Sequence, residues 1–148
     1  MSGDSRPRLV GLNHVALEVG DVGEALEFYG EIFEFTLRNR FETAAFIDIG
    51  DQFIALAAVA DEYRDRHRHF GLVVDSLDAA RRALEEAGVT LLPGRGVGFH
   101  DPWGNRVQVV EYSQIQFSKA PAVLTAMGLD DLGKSQGALE ELQRKGIA

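Results

Sequence analysis

Two of the four histidines stand at the head of matching segments, His14-Val15-Ala16-Leu17-Glu18-Val19 and His69-Phe70-Gly71-Leu72-Val73-Val74. A single histidine on an apolar segment is usually a satisfied core or rim residue. Two in equivalent places suggest a shared task, and the tasks of imidazole are proton transfer and metal ligation. The chain contains no cysteine, which removes thiolate nucleophiles, disulfides and zinc–thiolate centres. Any metal must then be held by imidazole, carboxylate or amide oxygen, donors that suit Mn²⁺, Ni²⁺, Zn²⁺ or Fe²⁺. Two further groups could meet a substrate: Arg38 and Arg40, which alternation places on one strand face, and the basic run Arg64, Arg66, His67, Arg68 and His69. For both, a solvated surface is the commoner case.

The elements that must position these residues repeat. Leu9 to Val19 alternates and is rich in β-branched residues, so it reads as a strand. Asp21 with Glu24 forms a capping-box signature for a helix whose Val22, Ala25, Leu26, Tyr29, Ile32 and Phe33 make one apolar stripe. Gly30 weakens that helix by about 1 kcal/mol relative to alanine. Strands are predicted at Thr36 to Arg40, Thr43 to Ile49 and Phe53 to Ala58. The order then recurs: a strand from His69 to Val74, a helix capped by Asp75 or Ser76 and ended by Gly88, and strands at Val89 to Leu92, Val97 to His100 and Arg106 to Tyr112. This is a duplicated βαβββ unit. After Ser113 two short helices are predicted, around Ala120 to Met127 and from Gln136 to Lys145, packing on the domain or on a partner subunit.

With 148 residues the chain can bury a sizeable single core. Its net charge of −8 opposes phosphate backbones, so nucleic acid is not an expected partner. The longest apolar run, Phe53 to Ala60, is far short of the ~20 residues that span a bilayer, and Met1 to Arg8 lacks the core of a signal peptide. No membrane partner and a cytoplasmic location are therefore expected.

Taken in order, Leu12-Asn13-His14-Val15-Ala16-Leu17 running into Asp21 and Phe28-Tyr29, His69 to Val74, and Phe99-His100-Asp101-Pro102-Trp103-Gly104-Asn105-Arg106 resemble the vicinal-oxygen-chelate superfamily. That superfamily contains glyoxalase I, fosfomycin-resistance thiol transferases, methylmalonyl-CoA epimerase, bleomycin-resistance proteins and extradiol dioxygenases. The resemblance implies an α+β fold, two βαβββ halves forming a cupped, mixed eight-stranded sheet with helices outside. The tail is then 1–8, the domain 9–112 with halves 9–60 and 68–112, and 113–148 is a C-terminal helical extension. It also implies a metal held by His14 and His69, a third-strand carboxylate at Asp48, and an eighth-strand glutamate whose place is taken by Gln108. Glu111 falls on the opposite face from Gln108. Pairing Asp101 with Arg106 puts Phe99 opposite Gln108, at the substrate, and turns His100 away.

Two functions compete. One is a divalent-metal-assisted lyase or isomerase of glyoxalase type, or a thiol transferase, favoured by His14, His69 and Asp48. The other is a metal-free drug- or metabolite-binding protein of bleomycin-resistance type, favoured by the neutral Gln108. An extradiol dioxygenase ranks below both, because those enzymes usually carry twice as many βαβββ units. Either way the partner is a small molecule, and the apolar residues of the extension favour a homodimer.

Overall fold

The computed structural model describes residues 12, 14–59, 65, 68–94 and 96–147. Its first half runs β1 (His14–Val19), α1 (Val22–Ile32), β2 (Thr36–Arg40), β3 (Ala44–Asp48) and β4 (Phe53–Ala58). The second runs β5 (Phe70–Val74), α2 (Leu77–Glu86), β6 (Val97–His100) and β7 (Arg106–Glu111). A single 3₁₀ turn, Tyr112–Gln114, leads to α3 (Pro121–Ala126) and α4 (Gln136–Arg144). The fold is α+β, with helices covering mixed sheets.

Local chemistry starts the helices where expected. The Asp21 carboxylate accepts from the Glu24 amide at 2.7 Å, Ser76 from Ala79 at 3.2 Å and Ser135 from Ala138 at 3.2 Å. Each satisfies a donor that the first helical turn leaves open.

An eighth strand is not seen among the described residues. Among the described residues there are seven strands in two sheets, ordered β1-β4-β3-β2 and β5-β7-β6. Val89 to Leu92 runs beside β6 but makes one bond of the ladder type, Leu92 N–H to the Gly98 carbonyl at 2.7 Å. Pro93 then has no N–H to give, and Gly94 at φ 124° turns the chain away. In each half the first strand pairs in parallel with the last, β1 with β4 and β5 with β7. Among the described residues β1, which His14 opens, and β5, which His69 immediately precedes, are therefore edge strands.

Both halves share one core. Leu17, Val19, Ile47 and Leu56 of the first sheet and Val97, Phe99, Val107 and Val109 of the second lie in a single buried cluster with Ala25 and Tyr29 of α1 and Leu84 of α2. The helix-covered sides of both sheets thus face inward together. Their other sides, which carry His14 and Gln108, lie outside this core. No helix among the described residues is long and apolar enough to cross a membrane.

Candidate active site

Strand alternation assigns the residues of the two open faces. On β1, Val15, Leu17 and Val19 turn to the core while His14, Ala16 and Glu18 are exposed. Register then builds rows across the first sheet: His14 beside Phe53 beside Asp48, and Ala16 beside Ala55 beside Phe46. The His14 ring stacks on Phe53, centroids 4.7 Å apart and planes within 9°. Phe46 lies 5.4 Å from Phe53 and 6.0 Å from Phe41. The imidazole therefore stands at one end of an aromatic row whose stacking fixes its plane.

Arg38 closes the other side of Phe53. Its guanidinium carbon lies 4.9 Å from the Phe53 centroid. Its Nη2 donates to Asp48 Oδ1 at 3.3 Å and to the Gly50 carbonyl at 3.1 Å. Asp48 Oδ1 also accepts the Gly50 amide at 3.1 Å. Asp48 is thereby engaged by Arg38 and its own turn, two strands from His14 with Phe53 between them, a backbone separation of about 10 Å. In this arrangement its carboxylate is turned to Arg38 and Gly50.

Arg40 is a second correction. Leu37 pairs with Ile47 while Asn39 pairs with Phe46, so β2 is bulged at Arg38. The extra residue flips the parity beyond it. Arg40 pairs with Ala45, a core-facing residue, and its Nη2 would lie 3.4 Å from a β-carbon built on Gly23, at the start of α1. Only Arg38 of the pair serves the open face.

On the second sheet, Gln108 is exposed at the centre of β7. Its neighbours across the ladder are both glycine, Gly71 on β5 and Gly98 on β6, and a β-carbon on Gly71 would meet nothing within 4 Å. On the β5 side the Gln108 side chain therefore has no neighbouring side chain in its row. His69 immediately precedes β5 and is exposed, with the parity of Gly71. Phe99 is elsewhere: it pairs with Val107, not Gln108. It is fully buried, 6.2 Å from Phe28 and 6.4 Å from Phe33. Asp101 is bonded to Asn105, not aligned with Arg106 (N–H to carbonyl, 2.9 Å), and a shift of one residue exchanges the faces. Phe99 is a core residue, and His100 instead shares the parity of Gln108, its Nε2 2.6 Å from the Asp65 carbonyl. His67 lies outside the described residues.

Glu111 lies on the core-side parity. It accepts the Leu77 amide at 3.0 Å and the Ser113 hydroxyl at 2.6 Å, and these bonds, Ser113 first, hold its pKa below the ordinary carboxylate value. It caps α2 and is unavailable to Gln108. Among the described residues no three His, Asp or Glu side chains gather closely enough to hold a metal within one chain. His14 gathers with Arg38 around Phe53, while His69 and Gln108 belong to the other face. Phe53 and Phe46 were missed at the level of sequence. Phe46 shares the parity of Asp48, a readable signal; the placement of Phe53 beside His14 depends on the parallel β1–β4 pairing, which no local pattern reveals.

Residues 11–109 match the model of the Glyoxalase/Bleomycin resistance protein/Dioxygenase superfamily. The chain is 31% identical to a metallothiol transferase, FosB, of Shouchella clausii, over 67% of this chain and 78% of that protein. It is 29% identical to a glutathione transferase, FosA, of Serratia marcescens, over 68% and 80% respectively. The genomically encoded fosfomycin resistance protein FosX of Listeria monocytogenes superposes with a TM-score of 0.61 at 18% identity, over 70% of this chain and 94% of that one. With the duplicated βαβ core, these matches show that the chain belongs to the Glyoxalase/Bleomycin resistance protein/Dioxygenase superfamily.

Proposed function

We propose that this protein is a divalent-metal-assisted thiol transferase acting on a small, anionic electrophile, and that it works as a homodimer. The observation that carries the reading is the pair of exposed histidines at the heads of two edge strands whose open faces both lie outside the common core. If β1 of one copy meets β5 of the other, His14 of the first faces His69 and Gln108 of the second. The edges are then covered, as sheet edges in stable proteins usually are. The two imidazoles and one amide oxygen are a donor set that a borderline divalent ion accepts. The likeness to proteins named as metallothiol and glutathione transferases supports this choice among the family's reactions.

Because the chain has no cysteine, the thiol must come from solution, which fits the reducing cytoplasm. When bound, the ion supplies a Lewis acid that polarises a substrate oxygen. The chain's own residues do the rest. Arg38 meets the substrate anion, its guanidinium oriented by Asp48 and Gly50. Phe46 and Phe53 exclude water beside the reacting carbon, where the carbon–sulfur bond forms as a carbon–oxygen bond breaks and the departing oxygen takes up a proton.

The test is calorimetric titration of Mn²⁺, Ni²⁺ and Zn²⁺, with mass spectrometry of glutathione and fosfomycin incubated with the metal-loaded protein. A metal-dependent adduct, lost in His14→Ala, is expected. Gln108→Glu should tighten the metal by adding a charged oxygen. Gln108 itself favours a second reading, a metal-free binder of bleomycin-resistance type. That reading requires no metal binding by the wild type and a lower melting temperature for Gln108→Glu.

A further inference from the structure

The segment after β7 reaches back to the first half of the chain and closes on one turn. Lys119, whose side chain is only 9% exposed, donates from Nζ to the Ile49 carbonyl at 3.0 Å and forms an ion pair with Asp51. Gly50 between them has φ 85°. It is covered by α3: a β-carbon there would lie 2.6 Å from the Met127 sulfur and 3.2 Å from Val123 Cγ1. The approach path of the segment is itself fixed, because Lys134 Nζ donates to the carbonyls of Tyr112, Ile115 and Phe117. Its ammonium also lies 3.5 Å from the Tyr112 ring centroid.

The clamped turn bears directly on Arg38. The Gly50 carbonyl accepts from Arg38 Nη2, and the Gly50 amide holds Asp48 Oδ1, the other acceptor of that nitrogen. One residue, Gly50, therefore supplies one acceptor through its carbonyl and holds the other through its amide, and Lys119 binds the Ile49 carbonyl of the peptide that carries that amide. An arginine over a phenylalanine face without such acceptors would sample several rotamers, at the entropic cost long side chains carry.

We propose that residues 119–127 are a positioning clamp for the substrate-binding arginine: Lys119, with Val123 and Met127, holds the β3–β4 turn so that Gly50 and Asp48 aim Arg38 at the ligand's anionic group. Lys119 is a positioning residue and touches no substrate. The proposal rests on the assignment of Arg38 to the substrate made above.

Two measurements separate the clamp from that assignment. Hydrogen exchange at the Gly50 amide, followed in wild type, Lys119→Ala, Lys119→Arg and Met127→Ala, tests the clamp alone. Exchange about tenfold faster in Lys119→Ala is expected, scaled to the loss of one charge-assisted bond. The expected pattern also has recovery in Lys119→Arg, an intermediate rate in Met127→Ala and unchanged β1 and β4 amides; unaltered Gly50 exchange overturns the clamp. Titration of fosfomycin into the Mn²⁺-loaded protein tests its consequence. Lys119→Ala should weaken binding about fivefold, the scale of couplings passed through packed contacts, with Mn²⁺ affinity unchanged, and should add nothing to Arg38→Ala. Additive losses overturn the positioning role. Full affinity in Arg38→Ala, or no fosfomycin binding by wild type, overturns the assignment of Arg38 to that ligand and with it the functional half of the proposal, while Gly50 exchange still decides the clamp.

Discussion

The hydroxyl of Tyr29 in α1 donates a 2.8 Å hydrogen bond to Oδ2 of Asp101, the buried residue that opens the β6–β7 turn. The same carboxylate accepts the amides of Trp103 at 3.0 Å and Asn105 at 2.9 Å and the Asn105 side-chain nitrogen at 2.7 Å. That nitrogen also donates to the Glu18 carbonyl at the end of β1, at 2.8 Å. One buried carboxylate thereby ties the second half of the chain to both α1 and β1. Tyr29→Phe removes one donor of four and should cost about 2 kcal/mol, the usual loss for a bond to a charged group. Thermal melts at neutral pH check this, and an unchanged melting temperature would mean that the two halves are not coupled through Asp101.

The same contact sets a response to alkali. Burial, with the Asp101 charge and hydrogen bond adding to it, raises the Tyr29 pKa far above the ordinary phenol value. The folded protein keeps this proton while the unfolded chain loses it, so the stabilisation is complete below about pH 10 and is lost as pH rises beyond it. Urea midpoints measured across this range should fall more steeply for the wild type than for Tyr29→Phe.

Glu111 gives the opposite sign. Its folded-state pKa is lowered by the Ser113 hydroxyl and the Leu77 amide, so its contribution is present above the ordinary carboxylate pKa and disappears as pH falls through the lowered one. Glu111→Gln should melt below wild type at pH 7, and the gap should close on acidification. A gap independent of pH would mean that the charge is irrelevant to the cap of α2.

Gly30 sits within α1 at a helical position where an added β-carbon meets nothing within 4 Å. Gly30→Ala should therefore stabilise the protein by about 1 kcal/mol through helix propensity and a less flexible unfolded chain. Denaturant unfolding decides it, and a loss of stability would show that this solvent face of α1 is covered in the assembled protein.

What the sequence could disclose followed the range of the interactions that determine it. Asp21 and Ser76 act within three residues: Asp21 caps its helix as read, and Ser76 is the one of the two residues read for α2 that does so. The duplicated strand–helix order, being a pattern of types, is present in both halves, although among the described residues the second half lacks the strand read at Val89 to Leu92, and strand parity separates Gln108 from Glu111 as read. Arg40 was misplaced because a bulge at Arg38 changes parity without leaving a mark in the residue types. Phe99 was misplaced because the hairpin register depends on how Asp101 bonds with Asn105. The relation of Asp48 to His14 depends on β4 lying between their strands, and Lys119 reaches Ile49 across the whole second half of the chain. Neither relation has a local signature.

The shared metal site is tested most directly by complementation between two defective chains. His14→Ala and His69→Ala are each expected to lose Mn²⁺ binding by titration calorimetry, because one imidazole and one amide hold a first-row ion poorly. Unfolded together, refolded and purified as a mixture, they should form heterodimers in which one interface combines the intact His14 of one chain with the intact His69 of the other. Mn²⁺ binding is expected to return with one site per heterodimer; a mixture that binds no more Mn²⁺ than either variant alone would contradict a site shared between subunits.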